Sequence, residues 1–302
     1  MISVVIPVRN AGQDLARCLD GIGRQRVAED IETVVVDSGS TDRTPDLARR
    51  CGAVVHEIEA AQFGHGRTRN LGVRFARGDL IVFTSQDAVA DHDRWLELLA
   101  SAARSSSDVA GAYGRQVPHA DARPPEEFFL DFVYGPSPRV QRLGGGAELT
   151  FEKTLFSNVN AAIPRHLLER FPFREDLTMS EDQEWSRRVL QAGFTLVYEP
   201  RAAVRHSHAY TIGTAFRRFF DSGLSAEHSY VEGAESRAAL RRAGLRYGRE
   251  ELAWLWSSGR RRWIPYTLAY ELGRYAGLQA GLHHKWLPKS LVRRISAYPI
   301  GG

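Results

Sequence analysis

The run LIVFT, residues 80–84, is apolar at every position and stops abruptly on Ser85, Gln86 and Asp87. A strand that is apolar on both faces must be covered on both faces, which a parallel sheet achieves with the helices of its crossover connections. The sequence before it contains such connections. β-Branched runs at residues 2–8 and 31–37 each end in polar residues, and Leu15 and Leu19 at helical spacing carry a helix to about Gly23. Thr44, Pro45 and Gly52 mark the start and stop of the next helix. Residues 54–58 read as a third strand and 67–77 as a helix closed by Gly78. This order predicts an α/β chain with a mostly parallel sheet, right-handed crossovers and a ligand site beyond the carboxyl ends of its strands.

The second half is less regular. After Asp91, the residues Trp95, Leu98, Leu99 and Ala102 share one helical face, and 109–114 reads as a strand. The pattern then weakens through Pro118, Pro124, Pro136, Pro138 and the triple glycine 144–146, with one helix near 126–134. The glycines read as loop punctuation, because no strand leads into them as a phosphate-binding loop requires. Residues 158–163, 194–198 and 202–206 read as extended, Ser180 and Gln183 have the spacing of a capping box, and from Ile212 onward the chain reads as helical with breaks. At 302 residues, 43% hydrophobic and 25% charged, one large domain plus an extension is expected. Cys18 and Cys51 provide no framework of bridges, so they read as packing groups in a reducing compartment. The opening ISVVIPV has no basic leader and is too short for a signal core, and no stretch is long enough to cross a bilayer.

Charge is distributed unevenly. Residues 237–302 carry 13 Lys/Arg against three Asp/Glu, whereas the rest of the chain is net acidic. The same segment holds four of the six tryptophans, Trp254, Trp256, Trp263 and Trp286. Basic side chains interleaved with Trp and Tyr suit the interface of an anionic membrane. Nucleic acid is not the expected partner, and helix packing or oligomer formation is the structural alternative.

Acidic and histidine residues gather at element ends: Asp37 with Asp42, Asp87, Glu181 with Asp182, and His206 with His208. Each alone is explained by a turn or a cap; their shared placement, in order along the chain, points to a site. A carboxylate and an imidazole together hold a divalent cation, with oxygen ligands suiting Mg²⁺ or Mn²⁺ and a nitrogen shifting the balance toward Mn²⁺. So few protein ligands leave positions for phosphate oxygens, and a separate carboxylate can take a proton from an attacking hydroxyl. Asp182 is the candidate base. Its position at a helix start keeps it ionised and weakly basic, so bound phosphates would have to raise its basicity again.

In order, VVIPVRN, DSGSTDRT, GHGRTRNLG, SQDA, SED and VRHSH resemble the family 2 glycosyltransferases of the GT-A fold, over about residues 1–230. FGHGRTRN, HSHAYT followed by FRRFFD, and the basic tail with RWIPYTLAYELGRYAG are most similar to bacterial rhamnosyltransferases that use dTDP-L-rhamnose. The resemblance implies a Rossmann-like GT-A sheet flanked by helices and followed by a helical C-terminal extension. It divides the chain into a catalytic domain at 1–230, with a nucleotide-sugar half at 1–114 and an acceptor side with the base at 115–230, and a basic, aromatic-rich region at 231–302.

It further implies that Pro7, Val8 and Arg9 line the nucleotide pocket, that Asp37 accepts from the base, and that Arg69 approaches base or phosphate. Asp87 matches the metal ligand and His206 the histidine that completes the metal or diphosphate site; period-two spacing leaves His208 open for the same role, or for the acceptor side. Asp182 matches the catalytic base, supported by Glu181. His65 is a candidate contact to the donor sugar and Trp185 a candidate wall for a sugar face, with core packing its alternative; Phe216, Phe219 and Phe220 read as core. The implied enzyme is an inverting glycosyltransferase dependent on Mg²⁺ or Mn²⁺. It would make an α-L-rhamnoside on a glycan or lipid-linked precursor, at the cytoplasmic face of the membrane.

One departure bears on the donor. The family's DxD motif has two acids, and here Ser85 and Gln86 precede Asp87. A deoxynucleotide has one ribose hydroxyl fewer, so a neutral Gln86 would serve the one that remains. The alternatives are a UDP-sugar-dependent transferase of the same family, a metal-dependent hydrolase built on Asp87, Asp182, His206 and His208, and an inactive membrane-associated glycan-binding protein.

Overall fold

The structure is a computed structural model that describes residues 1–144, 149–231 and 233–298; Gly145 and Gly146 of the triple glycine lie outside the described residues. Strands β1 (Ile2–Val8), β2 (Ile31–Asp37), β3 (Val54–Glu57) and β4 (Leu80–Thr84) are parallel, in the order β3-β2-β1-β4. Helices α1 (Gly12–Gly23), α2 (Thr44–Arg50) and α3 (His65–Phe75) make the crossovers. The apolar run of β4 is explained by its two faces. Leu80 and Val82 pack with Leu15, Leu19, Trp95 and Leu99, while Ile81 and Phe83 point the other way to Val73, Phe173 and Trp185.

Beyond β4 the regular alternation ends and the sheet becomes mixed. Strand β5 (Val89–Ala90) and helix α4 (Trp95–Ala103) lead to β6 (Val109–Val117), helix α5 (Pro124–Val133), β7 (Arg139–Gln141) and the short helix α6 (Phe151–Thr154). Strand β8 (Asn160–Pro164) then inserts antiparallel between β4 and β6. After helices α7 (Arg165–Arg170) and α8 (Glu181–Gln191), β9 (Thr195–Arg205) runs parallel to β6, taking β7 on one half and β5 on the other. The two extended segments expected at 194–198 and 202–206 are thus one irregular strand. Asn160 locks this half: its Oδ1 accepts from Trp95 Nε1 at 2.8 Å and its Nδ2 donates to the Ala202 carbonyl at 2.8 Å.

Helices α9 (Ile212–Ser229), α10 (Gly233–Ser257), α11 (Ile264–Leu282) and α12 (Lys289–Ile295) complete the chain. A Cβ at Gly277 would run into the Phe216 carbonyl, so glycine there lets α11 lie directly on α9. Phe220 is buried, and Phe219 lies under the Arg274 guanidinium, 4.3 Å from the ring centre. Among the described residues no helix is long and apolar enough to cross a membrane.

Two local expectations change. Thr44 begins α2 rather than capping it. Its amide is taken by Asp42 at 2.9 Å, while its hydroxyl accepts from Ala11 N at 2.8 Å and so ties α2 to the turn after β1. Cys51 is exposed, whereas Cys18 is buried as expected.

Candidate functional site

A cavity of about 640 Å³ opens at the carboxyl ends of β1 and β4. Pro7, Val8 and Arg9 enter it from the end of β1, and Ser85, Gln86 and Asp87 from the end of β4. Helix α3 contributes His65 and Arg69, the start of α8 contributes Glu181 and Asp182, and the segment after β9 contributes His206 and His208. Residues 112 positions apart meet because α3 and α8 both pack on one face of the sheet.

Asp87 is the hinge between the two histidines. His206 Nε2 is 3.6 Å from one of its oxygens and His208 Nδ1 is 3.5 Å from the other. The three donor atoms lie within 4.8 Å of one another. Gln116 orients the His206 ring. Its Nε2 donates to Ser157 Oγ at 3.0 Å, so its Oε1 is the acceptor for His206 Nδ1–H at 2.9 Å, leaving the Nε2 lone pair toward Asp87. Burial holds both imidazoles below their ordinary pKa despite the opposing charge of Asp87, and a neutral imidazole is the ligating form. This donor set, one carboxylate and two neutral nitrogens backed by an orienting amide, fits a divalent cation. His208 stands beside Asp87 as His206 does; both histidines follow the end of β9, where period-two spacing no longer applies.

The carboxylates of α8 are split by their surroundings. Glu181 is nearly inaccessible; burial would raise its pKa, but the Arg69 guanidinium at 2.8 Å and Asn158 Nδ2 at 3.1 Å hold it below the usual range. Asp182 keeps an edge on the cavity. Burial, and then the neighbouring Glu181 charge, push it up to about 7, against hydrogen bonds from Asn158 N at 3.1 Å and Gln183 N at 2.8 Å. The expectation that the helix start leaves Asp182 weakly basic is thereby reversed without any bound phosphate. One acid stays ionised beside an arginine while the other titrates near neutrality, a division that suits proton transfer. The capping box does not form. Ser180 is left-handed at φ 63°, makes no side-chain cap, and is held through its carbonyl by Ser229 Oγ at 3.3 Å.

Three other expectations come out differently. Trp185 is completely buried against Phe156 and Phe173 and does not reach the cavity, because the first turn of α8 carries residues 181–183 there and the next faces the core. Asp37 is also buried and does not line the cavity; its oxygens accept from the Ser40 amide at 2.9 Å and from the Ser40 hydroxyl. Gln86 does line it, but its Oε1 accepts from Arg9 N at 2.8 Å and its Nε2 donates to Arg9 O at 3.4 Å. An amide can do both and a carboxylate only the first, so Gln86 clamps the ends of β1 and β4 together. His65 lines the cavity between the edges of Phe63 and Tyr298, with Nε2 unpartnered and burial pushing its pKa down to about 4.

Sequence reasoning missed Gln116, Asn158, Arg218 and Tyr298. Arg218 sits inside FRRFFD, where the phenylalanines were the visible pattern. Tyr298 reaches the cavity from beyond α12, and no local pattern marks it.

With a GT-A-like α/β fold and this site, the chain belongs to glycosyltransferase family 2: residues 3–171 match Glycosyl transferase family 2. It is similar to the O-antigen chain rhamnosyltransferase RfbN of Salmonella typhimurium, 33% identical over 98% of this chain and 94% of that one. The O-antigen chain rhamnosyltransferase WbaN of Salmonella anatum is 30% identical over the same shares of the two chains. Among solved structures, the mannosyltransferase PcManGT from Pyrobaculum calidifontis, in complex with GDP-Man and Mn²⁺, superposes with a TM-score of 0.63 at 20% identity, covering 94% of this chain and 87% of that one. The protein is a glycosyltransferase.

Proposed function

We propose that the enzyme is an inverting rhamnosyltransferase that moves L-rhamnose from dTDP-L-rhamnose to a hydroxyl of a glycan or lipid-linked glycan precursor in cell-surface polysaccharide synthesis. The observation that carries the reaction type is Asp182, pushed up to about 7 and facing the same cavity as Asp87, His206 and His208. The names of two relatives matched over nearly the whole chain support the sugar.

Asp87, His206 and His208 would hold Mg²⁺ or Mn²⁺, with two nitrogens favouring Mn²⁺. Such an ion supplies charge neutralisation for a diphosphate leaving group. Asp182 removes the proton from the acceptor hydroxyl as that oxygen attacks the anomeric carbon in line, giving the α-L-rhamnoside. Glu181, kept ionised by Arg69, maintains the basicity of Asp182 and does not itself take the proton. Pro7, Val8, Arg9 and Gln86 shape the nucleotide side, and His65 faces the donor sugar. In this reading residues 1–230 carry the chemistry, with the nucleotide sugar on 1–114 and the acceptor on 115–230.

Residues 231–302 hold the enzyme on the inner face of the cell membrane. Leu268, Leu272 and Tyr275 are exposed at helical spacing on α11, Trp286 is 88% exposed, and Arg261 stacks 3.9 Å over the Trp256 ring. These groups support peripheral contact with an anionic lipid surface.

The experiment is a thermal-shift panel of dTDP-, UDP- and GDP-sugars with and without Mn²⁺, followed by transfer assays with the donor that stabilises. Stabilisation by dTDP-L-rhamnose and Mn²⁺ together is expected. Stabilisation by UDP-sugars alone would overturn the donor assignment.

A further inference from the structure

The cavity is lined by a cation that the reaction described above does not use. Arg218 of α9 lines it together with Asp87, His206 and His208. Its charge reaches both imidazoles and His65, adding to their burial in lowering their proton affinity. Arg69, which lines the same cavity, is already committed to Glu181. Arg218 has no ion pair among the described residues. The acid one turn along its helix, Asp221, is occupied, its oxygens accepting from Ser296 Oγ at 2.6 Å and Ala297 N at 2.8 Å.

What Arg218 has is a neutral phenol: its Nη1 donates to Tyr298 Oη at 2.7 Å. The Tyr210 ring lies 5.0 Å from its guanidinium carbon. A half-buried guanidinium with five donors, one neutral hydroxyl partner and an aromatic wall is suited to a planar or tetrahedral oxyanion. The segment bearing Tyr298 is pinned just before it, by Asp221 and by Arg217 Nε and Nη2 donating to the Ile295 and Ser296 carbonyls at 2.8 Å each. The tyrosine can therefore turn away from Arg218 while the segment stays attached.

We propose that Arg218 receives the diphosphate of the nucleotide donor, and that the Tyr298 hydroxyl holds its place until the donor arrives. This rests on the nucleotide-sugar reading of the cavity. The charges fit: Asp87 offsets part of a divalent cation's charge, so a diphosphate beside them, which gains negative charge as the sugar leaves, calls for a further fixed cation. Arg218, whose charge reaches both imidazoles, supplies that cation within the same cavity. Exchange of the phenol for phosphate oxygens replaces a neutral hydrogen bond by charge-assisted ones.

The test is calorimetric titration of the full chain with dTDP, UDP and their nucleosides thymidine and uridine, all with Mn²⁺. Arg218→Gln is expected to weaken binding of the preferred diphosphate at least tenfold and leave its nucleoside unaffected, with Arg218→Lys intermediate. Equal losses for diphosphate and nucleoside would mean a structural role and overturn the proposal, as would unchanged diphosphate binding. Tyr298→Phe is expected to bind the diphosphate as tightly as wild type or several-fold tighter; weaker binding would overturn the placeholder role. If wild type binds no nucleoside diphosphate, the donor reading itself falls. Wild-type binding with an indifferent Arg218→Gln removes only the present inference.

Discussion

The Arg69 guanidinium donates to the Glu181 carboxylate at 2.8 Å with almost no solvent at either group, and the next residue in the chain is Asp182. The pair thus fixes a negative charge beside the candidate base. Replacing Glu181 by Gln removes one of the two causes that raise Asp182, while burial remains. The acid limb of the pH profile of kcat/KM should then move down by about one pH unit. A limb that stays near pH 7 in Glu181→Gln would separate Asp182 from the rate.

Asp182→Asn should lower transfer at least ~100-fold, the usual scale for loss of a general base. Because the folded state raises the pKa of Asp182, that group contributes stability at low pH that is lost as pH climbs from the ordinary aspartate value through about 7. Relative to Asp182→Asn, wild type should therefore lose melting temperature as pH rises over that window. Parallel pH profiles of Tm for the two proteins would contradict the raised pKa.

Gln116 orients His206 without hydrogen-bonding Asp87 or His208, the other two members of the candidate metal cluster. Gln116→Leu should weaken Mn²⁺ binding by about 10–100-fold, in line with the loss of other partners that orient metal ligands. Titration of the chelator-stripped protein with Mn²⁺ measures this, and chelation should abolish transfer until Mn²⁺ is restored.

Gly277 brings α11 onto the Phe216 carbonyl of α9. Gly277→Val must push the helices apart and should cost about 1–3 kcal/mol, read by denaturant unfolding. An unchanged unfolding midpoint would mean that the two helices are not packed as described.

Arg261 and Arg262 carry no ion pair among the described residues. Replacing both with Ser should weaken binding to vesicles containing anionic lipid by roughly 2 kcal/mol, a factor of about 30, and leave neutral vesicles unaffected. Equal binding of wild type and double variant in a sedimentation assay would remove the membrane contact.

The alternating strands and helices of residues 1–84 were legible because each element is defined by its own local pattern, although one face of β4 is covered by Phe173 and Trp185 from much later in the chain. Asp87, Asp182 and His206 were legible for a related reason: each lies at the end of an element, and element ends are visible locally. The antiparallel insertion of β8 was not, since strand direction depends on how the intervening loop returns and not on the strand's own residues. Trp185 shows the same limit within one turn of helix. Its neighbours 181–183 face the cavity and it faces the core, and the orientation of α8 on the sheet makes that choice.

From local pattern and composition alone, the sequence determined an α/β chain with acids at its strand ends and a basic, aromatic tail. Tertiary structure decided what those acids are. Burial beside Glu181 turned Asp182 from a weak base into one that titrates near neutrality, and Gln116, brought across from β6, left a His206 lone pair facing Asp87. Proton affinity and ligand orientation are set by desolvation and by hydrogen bonds between residues distant in the chain, and neither is written in any one segment.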